Sequence, residues 1–227
     1  MSLSQSFFKT IAPAAQAVGA STAQLHHPDV FPELVADWFQ LLFHVVRHST
    51  PLMQATLQCC QRDPGDHAHK IIADYMKRHL SEEQGHEDLL AEDIRQMTKA
   101  AKFVDPVMPP RSITAMVGGQ YALVEAVHPA AHLGYIALLE GFPASLERAE
   151  MLIARSGQPR RAWRTYLLHA AADVDHRNEL CSVVDELPSS SLVGRAMVRS
   201  ALDAAQWYID GVNELLESYA RLKQIGV

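Results

Sequence analysis

His169, Asp173 and His176 stand four and then seven residues apart in the stretch YLLHAAADVDHRNEL. That spacing commits the stretch to an α-helix if the three are to act together. Each helical residue advances by about 100°. Asp173 and His176 therefore return to within about 40° of His169. Two imidazoles and a carboxylate on one helical face suit iron or another borderline divalent metal. Taken alone, the same three residues also fit a solvated patch of two surface histidines beside an aspartate.

The rest of the chain has helical rather than strand periodicity. Val30 to His48 carries apolar residues spaced for one broad buried face, with Pro51 as its interruption. A short helix is expected from Leu52 to Gln61, then a turn over Arg62 to Asp66, then a long helix from His67 to Ala100. Pro106, Pro109 and Pro110 mark a linker. Further helices are expected over Ser112–His128, with a bend at Gly118-Gly119, and from Pro129 to Arg155. Gly141 and Pro143 should kink or break the latter just after Glu140. The last two helices are expected from Pro159 or Arg160 to Glu186 and from Leu192 to Ile225. No repeat, low-complexity tract or β alternation is visible. The expectation is one all-helical domain over residues 1–227, with an N-terminal helix or arm over 1–28 and a bundle core over 29–220.

Two further groups of residues could do chemistry. His79, Glu83 and His86 repeat the four-then-seven spacing on the long helix. Glu83 and His86 form a Glu-x-x-His pair, whose side chains converge on a helix, as in carboxylate-bridged di-iron bundles. Glu82, Glu87, Asp88, Glu92 and Asp93 indicate that much of this helix faces water. Glu140 closes the apolar run HLGYIALLE. A buried carboxylate must be paired, hydrogen-bonded or metal-bound. Helical metal sites are assembled from facing helices in this way, and such a ligand set suits Fe(II) or Mn(II).

Bulk properties narrow the class. The 227 residues carry 20 Lys and Arg against 26 Asp and Glu, a formal net charge of −6, which argues against nucleic acid as a partner. The three cysteines, Cys59, Cys60 and Cys181, do not form a disulfide framework. No apolar run approaches the roughly 20 residues that span a bilayer, and the first twenty residues lack a signal-peptide pattern. A soluble cytoplasmic protein is expected, with a homodimer as the default assembly.

The order of these residues resembles that of the haem-oxygenase-like di-iron oxidases and oxygenases. It runs from an acid and histidine helix to a lone Glu about fifty residues on, then to His-x3-Asp-x2-His about thirty residues later. This branch shares its fold with the TenA-type thiaminases and the PQQ-synthesis oxidase, PqqC. The resemblance covers roughly Asp29 to Ala220. It implies an all-α, TenA- and PqqC-like bundle of about seven to eight helices. It also implies two Fe(II) ions per chain that use dioxygen to oxidise a small molecule such as an amine, amino acid or fatty-acid-like compound, with an external electron donor. By resemblance the metal ligands are Glu83, His86, Glu140, His169, Asp173 and His176. Many members carry Glu seven residues before the first-helix His, where this chain has His79. His79 is therefore kept as a ligand or as a partner behind one, and the departure bears on whether both irons load. Phe43, His44, Tyr75, Tyr135 and Phe142 are candidates to line the substrate pocket.

Other readings of the same fold remain. A TenA-like C–N hydrolase would rely on Cys181 and a glutamate. A cofactorless oxidase would use the histidines to bind an aromatic or quinone-like substrate. Haem binding would draw on Thr22-x3-His26, although Pro28 breaks the helix there. A non-enzymatic metal-binding or partner-binding protein would leave the acids and histidines as solvated faces.

Overall fold

A computed structural model describes residues 2–225. These form ten α-helices and no strand: α1 Leu3–Leu25, α2 Phe31–Val46, α3 Ser49–Gln61, α4 His67–Glu83, α5 His86–Arg95, α6 Arg111–Ala126, α7 Ala131–Leu139, α8 Leu146–Ser156, α9 Arg164–Glu186 and α10 Ser191–Ile225. A 3₁₀ turn over Arg160–Trp163 leads into α9. The all-α class agrees with the expectation. The helix count is higher because two spans are divided. Residues 67–100 break between α4 and α5, where Gly85 adopts φ 93°. Residues 129–155 break after α7, as Gly141 and Pro143 lead one to expect. The Gly118-Gly119 pair does not break the chain there, and α6 runs uninterrupted across both glycines.

The 35-residue α10 is the spine of the bundle, with α1, α6 and α7 packed along it. Its contact with α7 is close enough to require glycine. A Cβ on Gly134 would lie 2.0 Å from the backbone oxygen of Met197. That close approach holds α7, and with it Glu140 at its C-terminal end, at a set depth. The N-terminal segment expected as a helix or arm is the helix α1, whose Phe7, Phe8, Ile11 and Leu25 are buried in the same core as α2 and α10.

On α2, Leu34, Val35, Trp38, Phe39, Leu41 and Val45 recur at helical spacing and are all buried. The Trp38 indole N–H donates to the Tyr208 hydroxyl at 3.1 Å, tying α2 to α10. The proline-rich linker is pinned to the far side of α2. Buried Asp37 accepts backbone N–H bonds from Lys102, Phe103 and Val104. His44 bonds through Nε2 to the Asp105 carbonyl at 2.7 Å. Buried Asp93 on α5 accepts from Arg164 Nε at 2.9 Å and from the Thr165 amide at 2.7 Å, which locks the start of α9. Among the described residues, no helix is long and apolar enough to cross a membrane.

Candidate metal centre

The residues singled out in the sequence gather into two groups among the described residues: Glu83, His86 and His169, and His79, Glu140 and His176. In each group one nitrogen or oxygen from every member lies within 4.8 Å of the others. α4 contributes one residue to each group, His79 and Glu83, four positions apart. α9 likewise contributes one to each, His169 and His176, with Asp173 between them. The C-terminal end of α7 contributes Glu140, and the first turn of α5 contributes His86.

The break at Gly85 changes how the first group forms. Sequence spacing placed Glu83 and His86 on one continuous helix. Instead Glu83 is the last residue of α4 and His86 the first of α5. The positive φ of Gly85, which glycine adopts without a Cβ penalty, turns the chain so that the two still meet. Glu83 Oε1 lies 3.0 Å from His86 Nδ1 and 3.9 Å from His169 Nε2. The His169 ring is fixed from behind, its Nδ1 donating to the Thr165 carbonyl at 2.9 Å.

In the second group Glu140 lies between two histidines. Its Oε1 is 3.3 Å from His79 Nε2, and its Oε2 is 3.1 Å from His176 Nδ1. Asp173 Oδ1 lies 3.7 Å from His176 Nδ1. Burial alone would raise the Glu140 pKa, but the His176 and His79 contacts outweigh it and hold the carboxyl at about 2. Asp173 and then Glu140 push His176 up to about 10. Burial disfavours a charged His79, yet Glu140 prevails and raises it. Burial raises Asp173. Both faces of this group thus favour positive charge between the carboxylates.

The donor atoms fit a metal. Glu83 Oε1, His86 Nδ1, Glu140 Oε2, Asp173 Oδ1 and His176 Nδ1 are buried and make no hydrogen bond with acceptable geometry, a costly arrangement for polar atoms without another partner. Two ligand atoms each about 2.1 Å from one ion and at right angles lie about 3.0 Å apart, which is the spacing seen at Glu83–His86 and Glu140–His176. Imidazole with carboxylate is a donor set for Fe(II), Mn(II) or Zn(II).

Against the centre lies a cavity of about 300 Å³. Glu83, Glu140, His169 and Asp173 form its polar wall, and apolar residues such as Trp38, Leu42, Val45 and Leu138 face them. Of the pocket candidates, Phe142 lines it and the other four do not. His44 is turned away to the linker carbonyl, and Phe43 packs beside it under Arg47. Tyr75 sits behind the centre, stacked on the His79 ring at 5.3 Å, its buried hydroxyl unpaired. Tyr135 is buried on α7 beside His132. Sequence reasoning also missed Glu82. Read as water-facing and indeed half-exposed, it nonetheless reaches His79 Nδ1 at 3.4 Å and His176 Nε2 at 3.7 Å. Its i,i+3 step from His79 was the available signal. Cys181 does not line the cavity, and His26 is wedged edge-on between Phe31 and Trp38 with both ring nitrogens buried.

The family model described as iron-containing redox enzymes matches residues 36–208. This chain belongs to that family. The match contains every residue of both groups. Among solved structures, a domain of unknown function with a heme oxygenase-like fold from Shewanella denitrificans superposes with a TM-score of 0.78 at 14% identity, covering 98% of this chain and 95% of that one. A TenA homolog from Pseudomonas syringae superposes with a TM-score of 0.68 at 12% identity, covering 94% and 92%. The chain has the heme oxygenase-like fold. No curated protein matches it by sequence.

Proposed function

We propose that this family member is a di-iron oxidase or oxygenase acting on a small organic substrate. One iron would be held by Glu83, His86 and His169, and the other by His79, Glu140 and His176, with Asp173 beside His176 as a further carboxylate. The observation that carries this reading is the pair of three-donor groups on facing helices, with unpaired buried donor atoms, opening onto one apolar cavity. When bound, ferrous iron supplies electrons and open coordination positions for dioxygen.

The chain's own residues do the rest. Glu83, Glu140 and Asp173 offset the charge of two divalent ions. The Thr165 carbonyl leaves His169 Nε2 free to face the centre. The apolar wall of Trp38, Leu42, Val45 and Leu138 excludes water and binds the hydrocarbon part of an amine, amino acid or fatty-acid-like substrate beside the centre. The partners in this reading are dioxygen, that substrate and an external electron donor. His79, which departs from the acid that similar enzymes carry at this position, is a ligand here, because its Nε2 faces Glu140.

Anaerobic titration of metal-free protein with Fe(II), followed by Mössbauer spectroscopy before and after dioxygen, tests the reading. Two irons per chain, both oxidised on mixing with dioxygen, are expected. No tight iron would remove the metal assignment altogether.

A further inference from the structure

Each histidine in the His79, Glu140 and His176 group presents one nitrogen to Glu140 and the other to Glu82. His79 turns Nε2 inward, 3.3 Å from Glu140, and Nδ1 outward, 3.4 Å from Glu82 Oε2. His176 does the reverse, with Nδ1 inward at 3.1 Å from Glu140 and Nε2 outward at 3.7 Å from the same Glu82 oxygen. One carboxylate therefore spans the outer edges of two imidazoles from different helices. The other group has nothing equivalent, since His169 is held from behind by a neutral backbone carbonyl.

Resting on the di-iron reading, we propose that Glu82 is the positioning residue of the His79, Glu140 and His176 site, fixing its two histidines in opposite tautomers and making that site the tighter of the two. A neutral imidazole carries one N–H, and the nitrogen bound to a metal cannot carry it. A carboxylate receiving the outer N–H selects the tautomer, orients the ring and raises the basicity of the inner nitrogen, an arrangement worth about 10–100-fold in metal affinity. Glu82 meets this requirement for His79 through a hydrogen bond, and at 3.7 Å from His176 Nε2 its charge favours the N–H on that nitrogen. It is half-exposed on the last turn of α4, so its removal costs the core nothing. The adjacent Glu83 belongs to the other site. Neighbouring acids on α4 thus serve different ions, one by direct contact and one through the histidines.

The test uses Zn(II), a diamagnetic probe, with metal-free wild type and Glu82→Ala, read by calorimetric titration and by nitrogen-15 NMR of the histidine rings. Wild type should bind two ions in resolvable steps, with His79 showing Nδ1–H and His176 showing Nε2–H. Glu82→Ala should lose about 10–100-fold in the tighter step only, and the two ring N–H signals should exchange rapidly with water. Glu82→Gln, which keeps an acceptor without the charge, should restore part of both. Two unchanged steps and unchanged ring signals in Glu82→Ala would overturn the role of Glu82 and leave the di-iron reading standing. A wild type that binds no Zn(II) and no Fe(II) would overturn both.

Discussion

At the scale of single residues, the two groups are separable by mutation. His169 belongs only to the group with Glu83 and His86, and it is a quarter exposed rather than a core residue. His169→Ala should therefore fold and bring iron down from two per chain to one, counted by metal analysis. An unchanged two-iron load would refute the assignment of His169. A different histidine contributes to acid stability. His26 is buried between Phe31 and Trp38 with neither nitrogen paired. Burial, helped by Arg148 and Arg155, lowers its pKa from 6.5 to about 4. Between those values the unfolded chain holds a proton on His26 that the folded protein does not. The stability it contributes is complete above the unfolded pKa and is lost as pH falls through that window. By about pH 5 the loss is about 2 kcal/mol. Urea unfolding near pH 7 and near pH 5 should show wild type losing about 2 kcal/mol more than His26→Phe. Equal losses in the two proteins would contradict the pKa assignment.

At the scale of elements, the helix break between Glu83 and His86 matters most. Gly85 sits at φ 93°, with no atom within 4 Å of where a Cβ would stand. An alanine there meets no clash and suffers only backbone strain, of about 1–3 kcal/mol. Gly85→Ala should lower stability by that amount and weaken iron binding at the Glu83, His86 and His169 group, while the other group keeps its ion. Thermal unfolding with metal analysis reads both effects, and full two-iron loading at wild-type stability would count against it. The same break shows what sequence could and could not reveal. The spacing of His169, Asp173 and His176 was legible because α9 runs unbroken beneath all three. Glu140 was legible because a lone acid that ends an apolar run is carried toward the core, where a carboxylate needs a partner. The pairing of Glu83 with His86 was anticipated for a different reason from the real one. Helical periodicity continues on both sides of Gln84-Gly85, and a single glycine within it is often tolerated. The division of His79 and Glu83 between two groups depends on where α7 and α9 lie opposite α4, and no local pattern encodes that. Among the pocket candidates Phe142 lines the cavity, whereas His44 and Tyr75 are drawn off by a linker carbonyl and by the His79 ring.

At the scale of the whole molecule, the bundle keeps the chemistry on one side of its cavity. α4, α5, α7 and α9 bring the acids and histidines, whereas α2 contributes Trp38, Phe39, Leu42, Val45 and Val46 to the lining and none of the grouped donors. Cavity shape and donor geometry can therefore be changed independently. Leu42 lines the cavity and is only partly buried, so a larger side chain there intrudes on the cavity with little core strain. Leu42→Trp should bind two irons as wild type does and lose the ligands the cavity accepts. A panel of apolar amines, amino acids and medium-chain acids, screened by thermal shift on the iron-loaded protein under anaerobic conditions, identifies those that raise the Tm of wild type. A ligand present at about 100 times its Kd contributes about 2.7 kcal/mol, and that gain should disappear in Leu42→Trp. If the variant is stabilised as much as wild type by the same compounds, they bind outside this cavity, and the apolar wall of α2 has no part in choosing the substrate. If stabilisation and iron are lost together, cavity and centre are mechanically one unit. If only stabilisation is lost, α2 selects the substrate while α4, α5, α7 and α9 hold the metal.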